Sequence, residues 1–374
     1  MTAGVYANGR RSVEVDNDDE LAALIALAGL PSLTPSRLWS LIELGRPTEV
    51  WQRVCAGGAP RHGRSPDAAV RWPGWSSLIE PAVELDRHRR AGVAVLPFGH
   101  EGYPDALLDD PDPPALIFRQ GPQTLDDRPR VAIVGTRRCT GYGRDIARDL
   151  GAALAERAVD VVSGLATGID AAAHAGATSV DRARAVAVVA GGVDVVYPRN
   201  NRGLFAEVAA HGALLSEWPL GARPETWRFP ARNRIVAALS AAVVVIESAE
   251  TGGSMYTVDE ALQRDRAVFA VPGPIRSPAS AGTNRLIADG AHALYAFDGL
   301  LDAVAPRSAI AAAPVQRSLG FDSWLLEVVG WQPIDLESVV AQSGRSPADV
   351  TLEVERLIAK GALRRLGAVV ERVA

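Results

Sequence analysis

The sequence predicts an α/β chain built on an extended Rossmann-like, doubly wound and mainly parallel sheet. A small helical domain precedes that core and a winged-helix domain follows it. Three observations carry the prediction. Between about residues 130 and 295, short β-branched runs alternate with alanine-rich stretches of helical period. The runs are continuously apolar rather than alternating, so both faces of each strand are buried, as in a parallel sheet with helices on either side. Before and after this block the pattern changes to helical spacing, closed at the C-terminal end by two β-like stretches.

Residues 1–100 form the first block. From Asp18 to about Glu84 the apolar spacing is helical, with Leu21, Leu24, Ile25 and Ala28 on one stripe and Leu38, Leu41 and Ile42 on another. A Gly-, Pro- and Arg-rich passage from Ala56 to Gly74 reads as a mobile loop. The core occupies residues 101–300. It opens with Tyr103 to Pro122, whose five prolines predict an extended connector. Strands are expected at 131–134, 159–162, 185–189, 213–215, 242–246 and 267–271, with ligands in the crevice beyond their carboxyl ends. A linker follows at 301–317, richest in Ala and Pro from Ala303 to Pro314. Residues 318–374 show three short helical patterns, then Ala362–Leu366 and Ala368–Val373 joined at Gly367, the order of a winged helix.

Composition narrows the function classes. The chain has 374 residues, 48% hydrophobic and 22% charged, which suits neither a disordered nor a fibrous protein. Two cysteines, Cys55 and Cys139, cannot form a disulfide framework or a cysteine-based zinc site and suit a reducing cytosol. The first twenty residues lack an apolar core, and the run Ile235 to Ile246 is too short to span a bilayer, so a cytoplasmic protein without membrane partners is expected. Net charge is −5, yet residues 128–300 carry 19 basic against 17 acidic groups while both flanks are acidic. All basic residues but Lys360 are Arg, whose planar fork suits phosphate and stacks on bases.

Four strand-end turns carry polar cargo. Gly135-Thr136-Arg137-Arg138-Cys139-Thr140-Gly141-Tyr142-Gly143 combines close backbone approach, a helix start and a positive fork, which together make an anion site. The alternative is a tight turn with a surface arginine. Its glycine spacing is not the dinucleotide fingerprint, so phosphate is the better ligand. The second turn, Ser163-Gly164-Leu165-Ala166-Thr167-Gly168-Ile169-Asp170, sets small residues beside the first. Asp170 and His174 share a helix face, but no further ligand lies at metal spacing, and Asp170 is expected to bind loop N–H groups or an Arg. The third, Phe229-Pro230-Ala231-Arg232-Asn233-Arg234, follows Arg223, Trp227 and Arg228. Guanidinium groups interleaved with aromatic rings suit a single-stranded nucleic acid, unless the rings simply pack inward. The fourth runs from Glu247 to Thr257, where Ser254 and Thr257 either donate hydroxyls to phosphate or merely cap the next helix. No serine has an evident His and carboxylate partner.

Taken together these motifs resemble the DNA-processing protein A family (DprA/Smf). The matching pieces are Tyr103-Pro104, Val131 to Arg137 with Tyr142-Gly143, Ser163 to Ala166 with Gly168-Ile169-Asp170 and Ala173-His174, Tyr197-Pro198, Leu215-Ser216-Glu217, Phe229-Pro230 with Arg232-Asn233-Arg234, and Pro272-Gly273. The resemblance implies a recombination mediator that binds single-stranded DNA, dimerises, and loads a RecA-type recombinase onto strands coated by single-strand-binding protein during DNA processing and natural transformation. It implies no cofactor, metal or catalytic residue. Transferred position by position, the phosphate pocket comprises Gly135, Thr136, Arg137, Ser163, Gly164, Gly168, Arg232, Asn233, Arg234, Ser254 and Thr257, with Phe229 for base stacking. Gly252 stands where the family has a serine, and Gly29 to Pro35 lacks the second glycine of a DNA-gripping helix-hairpin-helix. The would-be recognition helix, Pro347 to Lys360, is too acidic for a phosphate-lined groove and suits protein contact or autoregulation. An alternative reading is a nucleoside-monophosphate phosphoribohydrolase, since Gly253 to Glu260 distantly echoes that turn with Thr257 and Glu260 retained.

Overall fold

The computed structural model describes residues 5–58, 72–122, 125, 127–305, 324–329, 333–359 and 362–372. They belong to two compact units, Met1–Ala309 and Ile310–Ala374. Most of the Ala56–Gly74 passage and of the 301–317 linker lies outside the described residues, although residues 301–304 end a helix.

The first unit begins with helices α1 (Asp18–Ala28), α2 (Pro35–Ile42), α3 (Pro47–Cys55), α4 (72–76) and α5 (Pro81–Arg90). Asn17 caps α1 by accepting from Glu20 N at 3.0 Å, and three acids in its first turn favour the positive end of the helix dipole. From Ala22 to Ala28 the helix is buried all round, so it is a core helix rather than a surface one.

Among the described residues the central sheet has nine strands in the order β1-β2-β6-β5-β4-β3-β7-β8-β9. They are β1 (Ala94–Pro97), β2 (Leu116–Gln120), β3 (Arg130–Val134), β4 (Asp160–Ser163), β5 (Ala185–Val188), β6 (Ala213–Ser216), β7 (Ala242–Val245), β8 (Ala267–Ala270) and β9 (His292–Ala293). The connecting helices are α6 (Gly141–Glu156), α7 (Ile169–Thr178), α8 (Arg202–His211), α9 (Arg228–Ala238), α10 (Met255–Leu262), α11 (Ala281–Ala288) and α12 (Phe297–Val304). All six expected strands are present within a residue or two, and β3 to β8 pair in parallel. In register, Ala132 of β3 lies between Val162 of β4 and Val243 of β7. The chain winds outward from β3 through β4 and β5 to β6, then returns to place β7 on the other side of β3. That reversal opens a crevice at the carboxyl ends of β3 and β7.

Three strands of this sheet were not expected: the two-residue β9, which pairs with β8, and β1 and β2 at the other edge. The end of the Tyr103–Pro122 passage is β2, antiparallel to β6, because Leu116, Ile117 and Phe118 are fully buried and their backbone groups need ladder partners. β1, inside the block read as helical, then pairs with β2 and forms the sheet edge.

The second unit contains α13 (Trp324–Val328), β10 (Ile334–Asp335), α14 (Leu336–Ser343), α15 (Pro347–Ala359) and the hairpin β11 (Leu363–Leu366)–β12 (Val369–Arg372). β12 pairs with both β10 and β11. Leu325, Val339, Val350, Val354, Leu357 and Val370 form its own core. Gly367 turns the hairpin at φ 64°, a conformation that favours glycine.

Candidate nucleic-acid interface

The loops that follow β3, β4 and β7, together with the start of α9, enclose an open cavity of about 410 Å³ at the reversal point. Thr136 N donates to Glu247 O at 2.7 Å, which ties the first loop to the end of β7. The Glu247 carboxylate accepts from Thr140 N at 2.8 Å and Thr140 Oγ1 at 2.5 Å, while Thr140 Oγ1 accepts from Gly143 N at 3.1 Å. The start of α6 is therefore already served by a carboxylate of the same chain, and is not the set of free donors that its glycines suggest. Positive charge reaches the cavity through side chains instead.

Arg232 is the central one. Only 5% exposed, it rises from α9 and lines the cavity. Its Nη1 donates to Val188 O at 2.6 Å, and its buried Nε finds no hydrogen-bond partner among the described residues. The guanidinium lies so close to Gly164 that a Cβ there would stand 1.6 Å from Nη1, so a larger residue would push Arg232 out of this position. Asp170 faces Arg232 and accepts from Gly164 N at 3.1 Å and Ala166 N at 3.4 Å, in keeping with the expected role. Burial pushes the Asp170 carboxyl upward against the opposing pull of Arg232 and these N–H groups. His174 is no acid–base partner for it. The ring is fully buried, its Nε2 lies 3.3 Å from Val186 O, and burial lowers its pKa to about 4.

At the rim the Arg137 guanidinium carbon lies 5.0 Å from the centroid of the Phe229 ring, and Tyr197 packs on Phe229 at 5.6 Å between centroids. Arg137 is exposed, and among the described residues it forms no ion pair. Phe229 is half-buried and lines the cavity, and a ring flanked by a cation and a second ring is suited to an unpaired base.

The structure thus brings together at one cavity Gly135, Thr136, Arg137, Gly164, Phe229, Arg232, Asn233, Ser254 and Thr257. Three expected residues are placed elsewhere. Ser163 turns its hydroxyl inward, donating to Ile133 O at 2.6 Å. Gly168 lines a neighbouring groove and holds φ 83° where the loop meets α7. Arg234, two residues after Arg232 and so on another face of α9, is 4% exposed and bonds to Glu217 at 2.6 Å and Asp112 at 2.8 Å. Ser254 reaches the cavity wall but donates its hydroxyl to Ser248 Oγ at 2.8 Å. The expected arginine–aromatic cluster also divides, for Arg228 pairs with Glu225 and sits 5.3 Å from each of the Trp218 and Trp227 rings. Arg138 and Tyr256 line the cavity although the residue-by-residue reading left them out. The Arg137-Arg138 doublet was the available signal for the first; the second had none, since a tyrosine at a glycine position reads as a loss. Glu260 does not line the cavity. It accepts from Arg264, which also bonds to Asp110.

Comparison with known proteins identifies the family and the fold. The family described as DNA recombination-mediator protein A matches residues 94–305, more than half of the chain. The chain belongs to this family. It is 38% identical over 225 residues to DNA processing protein DprA of Bacillus subtilis, covering 60% of this chain and 75% of that one. To the putative DNA processing protein DprA of Mycobacterium tuberculosis it is 43% identical over 226 residues, covering 60% of this chain and 55% of the relative. The chain therefore spans little more than half the length of that relative. Among solved structures it matches DprA from Streptococcus pneumoniae with a TM-score of 0.63 at 30% identity, over 76% of this chain and 97% of that one. It also matches a DNA processing protein A from Helicobacter pylori, described for its single-stranded DNA binding mode, with a TM-score of 0.52 at 30% identity, over 56% and 94%. The Rossmann-like core and the family membership expected from the sequence both hold.

Proposed function

We propose that this protein binds single-stranded DNA at the strand-end cavity and acts as a recombination mediator in DNA processing, loading a RecA-type recombinase onto strands coated by single-strand-binding protein. The observation that carries the reading is Arg232: a guanidinium-bearing side chain at the wall of an open cavity, beside Arg137, which lies over the Phe229 ring and forms no ion pair among the described residues. A phosphate satisfies the cations and an unpaired base covers the ring. Family membership and the Helicobacter pylori relative support the same ligand. The reading is of a binding protein without catalysis, working as a homodimer in the cytoplasm. The phosphoribohydrolase alternative loses support, because the carboxylate it needs is held by Arg264 away from the cavity.

Within this reading, residues 1–100 are a helical contact module, 101–300 the DNA-binding core and 301–317 a linker. Residues 318–374 are a winged-helix domain for protein contact or autoregulation. Arg356 of α15 pairs with Glu353, and Arg365 of β11 pairs with Glu355, so two of the cations a DNA groove would draw on are already held by carboxylates.

The test is fluorescence anisotropy of a labelled oligo-dT at several salt concentrations, with duplex DNA as competitor. Wild type binds the single strand in preference to duplex. Arg137→Ala weakens binding and lowers the log–log salt slope by about 0.7, the contribution of one phosphate. A flat salt response or equal competition by duplex refutes the proposal.

A further inference from the structure

We propose that the bound strand continues past the cavity into the groove between α6 and α7, where Arg144 and Arg148 hold its next phosphates. The inference rests on the single-strand reading above and extends the binding site beyond it.

The groove is a second concavity, of about 500 Å³. It shares Arg137 and Arg138 with the first, so the two meet on the loop after β3. One strand can cross that loop without leaving positive charge. Arg144 and Arg148 are four residues apart and stand on one face of α6, separated by about 6 Å along the axis. Both are exposed, and among the described residues neither forms an ion pair. Other exposed arginines divide: Arg87, Arg89, Arg90 and Arg285 are held by neighbouring carboxylates, whereas Arg202 and Arg223, like Arg144 and Arg148, form no ion pair among the described residues.

Shape agrees with charge. The α7 side of the groove is formed by Ala171, Ala172 and Ala175, whose short side chains leave room for a backbone to lie in it. Four guanidinium groups line the groove against one carboxylate, Glu207, whose Oε2 accepts from Thr178 Oγ1 at 3.5 Å. Asp145 and Asp149 are each one residue beyond an arginine, roughly 100° around the helix, and do not line it. No large aromatic side chain lines the groove, so it grips the sugar-phosphate chain and leaves base stacking to Phe229 in the cavity.

The experiment uses the full chain and labelled oligo-dT of about 6 and about 20 nucleotides, a range that spans the usual site sizes. The paired substitution Arg144→Ala and Arg148→Ala leaves the short oligonucleotide bound as in wild type. For the long one it weakens affinity roughly tenfold and lowers the salt slope by about 1.4, two phosphates' worth. Phe229→Ala, confined to the cavity, weakens both lengths, and Glu207→Gln strengthens the long one. Unchanged binding of the long oligonucleotide by the paired variant, or equal weakening of both lengths, overturns the groove assignment while leaving the cavity in place. Failure of wild type to bind either length overturns both.

Discussion

Replacing Arg234 by methionine separates a structural arginine from Arg232, which lines the proposed phosphate site. The side chain donates from Nη2 to Glu217 at 2.6 Å, from Nε to Asp112 at 2.8 Å, and from Nη1 to Ala231 O at 3.2 Å. Glu217 is only 7% exposed and its Oε2 already lacks a partner. Burial raises the Glu217 carboxyl against the opposing pull of the adjacent Arg234 guanidinium. Methionine fills much of the volume but strands that carboxyl. Breaking a buried ion pair from one side costs about 3–5 kcal/mol, a large share of the roughly 5–15 kcal/mol that holds a folded domain. Asp112, half exposed, regains water and adds little. Urea unfolding followed by tryptophan fluorescence should show a midpoint lower by about 1 M or more, at a slope near 3 kcal/mol per M. Adding Glu217→Gln removes the stranded charge and should restore about half of the loss, a coupling that unrelated sites would not show. Affinity for single-stranded DNA, measured below the transition, should stay within roughly twofold of wild type. An unchanged midpoint together with a tenfold loss of DNA affinity refutes the reasoning and returns Arg234 to the phosphate site.

Further outcomes follow from the same geometry. Phe229→Ala should reduce single-strand affinity by about 1–3 kcal/mol, the range for one stacked base, with no change in salt slope; less than a twofold change in the anisotropy titration removes the stacking role. His174 has a pKa lowered to about 4 in the fold, so the unfolded chain takes up a proton first as pH falls below about 6.5. Its contribution to stability is therefore present at pH 7 and is lost as pH falls. At pH 5 the fold should be weaker by about 2 kcal/mol, and His174→Leu should flatten that part of the stability–pH curve in denaturant titrations. Thr140→Ala removes both the cap of α6 and a donor to Glu247 and should cost about 1–2 kcal/mol by thermal unfolding. Deleting residues 310–374 should leave single-strand affinity within a few-fold, since the cavity and groove belong to the first unit; a collapse of binding would show that the second unit shares in it.

Much of the core was legible because a parallel strand buried on both faces must be apolar at every position. Val131 to Val134 and Ala242 to Val245 could hardly be anything else. The glycine-bearing turns after them were legible for a related reason, since close backbone approach leaves no room for a Cβ, as at Gly135 against Glu247 O. β1 and β2 were hidden because this short antiparallel pair is split by a proline-rich passage whose local signal is that of a connector, with β1 before it and β2 inside its end. Arg232 and Arg234 carry the same side chain two residues apart, and nothing local distinguishes them. Which one meets a cavity and which meets Glu217 and Asp112 depends on how α9 is rotated over the sheet. Likewise Glu247 serves a helix start more than a hundred residues earlier in the chain, a pairing that exists only because β7 lies beside β3. By itself the sequence determined the strands and the turns where ligand chemistry collects, because these follow from each segment's own burial and backbone geometry. Only the tertiary structure decided which charges are spent on one another and which are left to line the cavity, because a charge is neutralised by whatever the fold brings within a few ångströms, whatever its distance along the chain.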